Sequence, residues 1–308
     1  MINAERVSVN IVIPGSVPAA KQNIFLENYR KATSSNGRLF LFAGDQKVEH
    51  LNADFFGEGI SPASAHPSHL FEIASKSRVG VFATQFGLVA RYGKEYPSIR
   101  YVIKLNAKTN LVPMAQHEPM SHHWVTVDQV AELAQSTGLN VVGVGMTVYL
   151  GSENESLMLA QAAQAVLQAH QHGMLAIIWV YPRGKAVKEE RSAAIIAGAA
   201  GVAVCLGADF VKVNPPDAQN GHSSAELFAQ AVKAAGNTKI LCSGGVARDK
   251  RAFLEDIYQD IHLGGISGVA IGRNIHQRGL AEAIAFCDAI ASIVSDDSDV
   301  QTAVNKLG

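Results

Sequence analysis

Short apolar runs of strand length recur along the chain: "RLFLFAG" (38–44), "VGVFAT" (79–84), "YVIKL" (101–105), "VVGVGMTV" (141–148), "MLAIIWVY" (174–181), "FVKV" (210–213), "KILCSG" (239–244) and "GVAIG" (268–272). Continuous rather than alternating apolarity marks strands buried on both faces, as in a parallel sheet. Between many of them the apolar positions adopt helical spacing, at 155–171, 223–235 and 251–261. Eight strand–helix units predict an α/β chain closed into a (β/α)8 TIM barrel, with an open doubly wound sheet as the alternative. The longest uncharged run, 192–208, is rich in Ala and Gly and shorter than the roughly 20 residues of a membrane-spanning helix. It reads as a tightly packed helix leading into a strand.

Residues 1–308 are expected to form one barrel domain, because barrels routinely exceed the usual domain size and no linker or low-complexity tract divides the chain. Residues 1–37 precede the first strand as an N-terminal extension that should pack on the outside of the barrel. The connection 106–125, "NAKTNLVPMAQHEPMSHHWV", is polar and His-rich and is placed to fold over the barrel mouth. A formal charge of −1 supplies no field to gather nucleic acid or anionic lipid, so any anion must be bound by local groups. No nucleic acid or membrane partner is expected. Cys205, Cys242 and Cys287 lie in apolar surroundings without CxxC spacing, which suits buried thiols in a reducing compartment. With Glu5 and Arg6 interrupting the start of any leader, a cytoplasmic location is expected.

Active sites on such barrels lie at the C-terminal ends of the strands. Polar residues collect there: Asp45 after the first strand, Lys104 and Lys108 at the third, Tyr149 at the fourth, Trp179, Tyr181 and Arg183 at the fifth, and Lys212 within the sixth. Lys47 and Glu49 read as solvated strand-end residues. If Val211 and Val213 face the helices, period 2 turns Lys212 into the barrel, where an unpaired ammonium is costly. Burial and Arg183 would then lower its pKa and prepare a neutral amine for attack on a carbonyl, whereas a structural lysine paired with Asp45 fits the position equally well. "SGGV" and "GRNI" place Ser243, Gly244, Gly245, Gly272 and Arg273 in the loops after strands seven and eight. Exposed backbone N–H groups and a guanidinium there form a phosphate cradle, unless the glycines serve tight turns alone.

These residues fall into ordered blocks: "GDQKVEH", "IKLNAKTNL", "TVYLGS", "WVYPRGK", "GADFVKV", "SGG" and "VAIGRNIHQR". In them the chain resembles the archaeal-type class I fructose-1,6-bisphosphate aldolases, a metal-independent Schiff-base group also found in bacteria, from about Arg38 to about Ala291. The resemblance implies that Lys212 forms the Schiff base. It implies that Tyr181 is the main proton-transfer residue with Trp179 beside it, and that Asp45 assists. Ser243, Gly244, Gly245, Gly272 and Arg273 would contact the sugar phosphate, a basic residue of "KLNAKT" (Lys104 or Lys108) would hold the second phosphate, and Arg183 would help bind substrate. No metal or other cofactor is implied, and relatives form pentamer-based rings, often decamers, so a homo-oligomer is expected. The chain departs from many relatives in having Gln46 after Asp45, where His is usual, and Asn214 where a second lysine is common.

Three other readings stand beside this one. A related Schiff-base aldolase, transaldolase-like synthase or thiolase would act on another phosphorylated ketose. A metal-dependent aldolase would use "HEPMSHH", with His117, Glu118, His122 and His123 as ligands. A non-catalytic sugar-phosphate sensor would keep the barrel and the cradle without turnover.

Overall fold

The computed structural model describes residues 11–50 and 54–308 of the chain. Helix α1 (Gln22–Ala32) precedes β1 (Leu39–Ala43) and the single-turn α2 (Gln46–Glu49). There follow α3 (Ser68–Lys76), β2 (Val81–Gln85), α4 (Phe86–Tyr92), β3 (Tyr101–Lys104), α5 (Val127–Thr137) and β4 (Val141–Leu150). The second half runs α6 (Glu155–Gln171), β5 (Leu175–Pro182), α7 (Ala193–Cys205), β6 (Phe210–Val213), α8 (Ser224–Ala235), β7 (Lys239–Ser243), α9 (Lys250–His262) and β8 (Gly268–Ile271). Helices α10 (Arg273–His276), α11 (Leu280–Val294) and α12 (Val300–Val304) end the chain. The strands close in sequence order, β8 returning to pair in parallel with β1. The fold is the (β/α)8 barrel that the apolar runs predict, and the open sheet is set aside.

Alternation along the strands divides the core in two. Phe40, Phe42, Val211 and Val213 face the helices in the larger cluster. Leu39, Leu41, Val81, Leu175, Ile177 and Phe210 fill the barrel interior. Between β3 and β4 the register slips at Tyr101/Val102, so Val102 pairs with Gly143 rather than Val142. An irregularity of this kind re-aims the residues beyond it, and on β4 it leaves Gly145, Thr147 and Tyr149 facing inward toward Lys104 and the mouth. Helices start on local caps: Thr126 with Gln129 and Ser223 with Glu226 form capping boxes, each satisfying two otherwise orphaned N–H groups.

Of the N-terminal extension, residues 1–10 lie outside the described residues. The remainder closes the bottom of the barrel rather than only coating its side. Phe25 and Tyr29 join the interior cluster, and Tyr29 stacks on Phe210 with ring centroids 5.5 Å apart. Ser16 hydrogen-bonds His170 Nδ1 at 2.6 Å, and the other ring nitrogen meets the Asp209 carboxylate at 3.2 Å. Asp209 also accepts the Ala176 N–H, so this chain of polar groups ties the extension to the start of β5. Cys242 and Cys287 are buried as expected, but Cys205 is exposed, because it lies at the end of α7 on its outer side. Among the described residues no helix is long and apolar enough to cross a membrane.

Candidate active site

At the C-terminal end of the barrel the inward positions change from apolar to polar. Trp179 on β5 pairs in register with Thr147 on β4 and Lys212 on β6. The Lys104 ammonium lies 4.2 Å from the indole centroid and the Lys212 ammonium 5.6 Å from it. Cation–π attraction is strongest for Trp and rises when both groups are desolvated. Gly145 creates the room: a Cβ there would lie 2.4 Å from Trp179 Cζ3 and 3.3 Å from Lys104 Cδ. The Trp179 N–H is buried and has no partner among the described residues.

Above this layer a cavity opens, walled by Tyr149, Tyr181, Arg183, Lys212, Asn214 and the loops after β7 and β8. It brings together Tyr181, Lys212, Ser243, Gly244, Gly245, Gly272, Arg273 and Arg183 from the residues singled out in the sequence. Gly245 has φ +63°, in the left-handed region, and a Cβ at Gly272 would sit 2.2 Å from Gln46 Oε1 and 2.7 Å from the Ala43 carbonyl. Both positions therefore require glycine. The sequence reading missed Asn274, whose amide donates to the carbonyls of Gly244 and Val246 at 3.0 Å and accepts the Arg248 N–H. It clamps the two glycine loops together. Ser243 donates to Asn214 at 2.7 Å, and Arg273 Nε lies 3.6 Å from Asp54 without a hydrogen bond.

Other assignments change. Lys104 is buried below the cavity, donating to Thr147 Oγ1 at 2.6 Å and lying 3.9 Å from Asp45. An ammonium so enclosed is not presented to a phosphate at the mouth. Asp45 pairs with Lys104 and keeps one buried oxygen without a partner among the described residues. Lys108 lies at the rim, its ammonium on the Thr109 carbonyl. Arg183 is held by Glu190 through three contacts of 3.1–3.2 Å. The His-rich loop runs over the β3–β5 side, where Asn106 bridges to His123, Glu118 accepts the Lys185 N–H and His117 turns back on the Val112 carbonyl. Among the described residues no three His, Cys, Asp or Glu side chains gather as a metal-ligating group, so "HEPMSHH" does not form the ligand set considered for it.

The electrostatics correct one expectation outright. Burial lowers the Lys212 pKa, but Tyr181, Asp45 and Glu49 outweigh it and the pKa stands above the ordinary lysine value. Burial does lower other amines here: Lys104 to about 8 against the opposing pull of Asp45 and Glu49, and Lys108 beyond it. Burial also raises the phenols of Tyr181 and Tyr149, with Glu49 adding to both. Glu49 itself, expected to be solvated, lines the cavity with a buried Oε1 that has no partner among the described residues, and burial followed by Asp45 pushes its pKa up to about 7. The solvated reading does not fit Lys47 either: it is half-buried, its ammonium donating to the Ala65 carbonyl and lying over the Phe55 ring, and burial lowers its pKa.

The fold and the cavity together define a barrel whose buried lysine shares its mouth with two tyrosines, two glycine-rich loops and Arg273. The profile of the DeoC/LacD family aldolases matches residues 39–278, and the chain belongs to that family. It is 48% identical over 96% of its length, and 94% of the relative's, to the fructose-bisphosphate aldolase/6-deoxy-5-ketofructose 1-phosphate synthase of Methanocaldococcus jannaschii. It is 32% identical to the class 1 fructose-bisphosphate aldolase of Halobacterium salinarum, over 89% of this chain and 97% of that one. A fructose-bisphosphate aldolase from Slackia heliotrinireducens superposes with TM-score 0.95 at 49% identity, covering 97% and 94% of the two chains. An archaeal fructose-1,6-bisphosphate aldolase, solved with its catalytic lysine covalently bound to the carbinolamine intermediate, superposes with TM-score 0.75 at 29% identity over 88% and 99%.

Proposed function

We propose that this protein is a class I, Schiff-base fructose-bisphosphate aldolase that reversibly cleaves fructose 1,6-bisphosphate to dihydroxyacetone phosphate and glyceraldehyde 3-phosphate. The observation that carries the reading is the inward-facing Lys212 on the wall it shares with Tyr181 and the β7–β8 glycine loops. Lys212, deprotonated by a neighbouring group, adds to the C2 ketone, and loss of water leaves an iminium. Breaking C3–C4 sends its electron pair into that iminium, giving an enamine and releasing the aldehyde as the C4 hydroxyl loses its proton. Tyr181 serves as proton carrier at the carbinolamine oxygen and the enamine carbon. The loops of Ser243 to Gly245 and Gly272 to Arg273 hold one phosphate, and Lys108 with Arg183 face the other, fixing C2 against Lys212.

Borohydride reduction with dihydroxyacetone phosphate, read by mass spectrometry, tests this: a stable adduct is expected on Lys212 and absent from Lys212→Ala. An adduct on another lysine, or none in active protein, refutes the assignment. A second reading keeps the same lysine chemistry but makes 6-deoxy-5-ketofructose 1-phosphate the product, and it is favoured by the 48% identical relative that carries both activities in its name. Comparing turnover of the two ketose phosphates by one enzyme preparation separates them.

A further inference from the structure

The β7 and β8 glycine loops meet a third wall, the single turn of α2. Gln46, its first residue, lines the cavity together with Gly272 and Arg273. The approach is close: a Cβ built on Gly272 would lie 2.2 Å from Gln46 Oε1 and 2.6 Å from its Cδ. The absence of a side chain at Gly272 therefore leaves the space that this carboxamide fills, directly against the backbone of the loop assigned to the substrate phosphate.

A carboxamide can present either its carbonyl or its N–H groups, and here the choice is made from behind. His276 Nε2 lies 3.1 Å from Gln46 Oε1, and its Nδ1 lies 3.2 Å from Ser64 Oγ. The ring is fully buried and stacked on Phe55, with centroids 4.5 Å apart and planes 7° apart. Its own backbone carbonyl accepts from His69 Nε2 at 3.1 Å, which holds the residue in place. Burial keeps the imidazole neutral, with its pKa down at about 3. A neutral imidazole has one N–H and one lone pair. Since Gln46 Oε1 can only accept, the proton sits on Nε2, and the Ser64 hydroxyl donates to Nδ1. With Oε1 committed to His276, the amide nitrogen is the free end, and among the described residues it is neither hydrogen-bonded nor buried.

We propose that Gln46 is a specificity-determining residue of this cavity, donating its amide N–H to the substrate phosphate beside Gly272 and Arg273, with His276 and Ser64 as positioning residues that keep the N–H end toward the anion. Reversing the carboxamide would set a carbonyl lone pair against the phosphate and leave the His276 N–H facing an N–H. The donor is uncharged, so it adds directional recognition of the phosphate oxygens without adding to the positive charge of Arg273. The inference rests on the Schiff-base aldolase reading, whose ketose phosphates supply the anion. It deepens that reading by naming a side chain that selects a phosphorylated ketone over the same ketone without its phosphate.

The test compares Gln46→Met, which removes both polar atoms at similar length, with Gln46→Glu, which keeps the acceptor for His276 but replaces the N–H end by a carboxylate oxygen. Borohydride trapping at Lys212, followed against the concentration of dihydroxyacetone phosphate and of dihydroxyacetone, gives each protein's preference for the phosphorylated ketone. Gln46→Met should lower that preference by about 10-fold or more, the scale of a hydrogen bond to a charged group. Gln46→Glu should lower it further, because like charges then face each other. Ser64→Ala frees the imidazole proton to take either nitrogen and should lower the preference by less than either; no change there removes Ser64 and His276 from the proposal. An unchanged preference in Gln46→Glu overturns the proposal, whether both ketones bind as before or both are lost alike, the latter marking a structural role. Calorimetric titration with inorganic phosphate keeps the two readings apart. Wild-type protein that never traps a ketone, yet binds inorganic phosphate more tightly than Gln46→Glu does, refutes the aldolase reading and upholds the Gln46 contact. Wild-type protein that neither traps ketone nor binds phosphate overturns both.

Discussion

Replacing Gly145 by Ala tests whether the indole between the two lysines is as tightly fixed as its contacts imply. The added Cβ would lie 2.4 Å from Trp179 Cζ3 and 2.9 Å from Cη2, where carbon atoms rest at about 3.5 Å or more. The ring must recede by roughly 1 Å, and it is 1% exposed with no open side. Overpacking of this kind costs about 1–3 kcal/mol. For a barrel of this size the melting temperature should fall by about 2–6 °C, taking roughly 2 °C per kcal/mol. The indole also sets the positions of the Lys104 and Lys212 ammoniums, and a misplacement of about 1 Å near the chemistry can lower rates about 10²-fold. Calorimetry should be paired with the rate of borohydride trapping. Gly198→Ala is the control: Gly198 lies within α7, where a Cβ meets nothing within 4 Å, and the same chemical change there should stabilise by about 0.5–1 kcal/mol. If Gly145→Ala matches that control in melting temperature and trapping rate, the close packing of Trp179 and its role in placing the lysines are both refuted.

Tyr181→Phe should reduce turnover by about 10²-fold or more while adduct formation at Lys212 persists, and unchanged turnover would assign its protons elsewhere. Arg273→Ala should weaken binding of phosphorylated ligands by about 1.5–3 kcal/mol, the scale of hydrogen bonds to a charged group, and leave unphosphorylated analogues unaffected; equal losses for both, by calorimetric titration, would give Arg273 a structural role. Lys104→Met should change the slope of stability against pH. With the folded pKa at about 8 and the ordinary value 10.5, the unfolded chain holds this proton between those limits and the folded chain does not. Wild-type stability therefore gains from this group as pH rises from about 8 to 10.5, by about 3 kcal/mol (2.5 units at 1.36 each), and the full penalty applies below pH 8. Denaturant titrations should show that rise in the wild type and not in the variant.

The strands were legible because burial on both faces writes an unbroken apolar run, and each of the eight runs became a strand. The inward direction of Lys212 followed from period 2 alone. Glu49 is not legible as a cavity residue while "DQKVEH" reads as the solvated end of a strand; as a helical turn, its i, i+3 and i+4 positions share a face. Lys104 was misjudged for a different reason. A phosphate-binding lysine and a buried one can sit in the same strand-end motif, and only the depth set by Thr147 and Asp45 distinguishes them. Asn274 carries no chemistry of its own, and its clamp on the Gly244 and Val246 carbonyls depends on two loops meeting that are distant in sequence.

The carboxylates and phenol that keep Lys212 a cation have a consequence further along the reaction coordinate. An ammonium and the iminium proposed to replace it carry the same single positive charge, so the field at β6 would already match that intermediate before substrate arrives, with little reorganisation needed once it forms. The disfavoured species is the neutral amine that exists briefly between them. Protein so arranged should form its adduct slowly and hold it firmly, with the covalent state accumulating during turnover, a distribution that rapid-quench trapping can read directly.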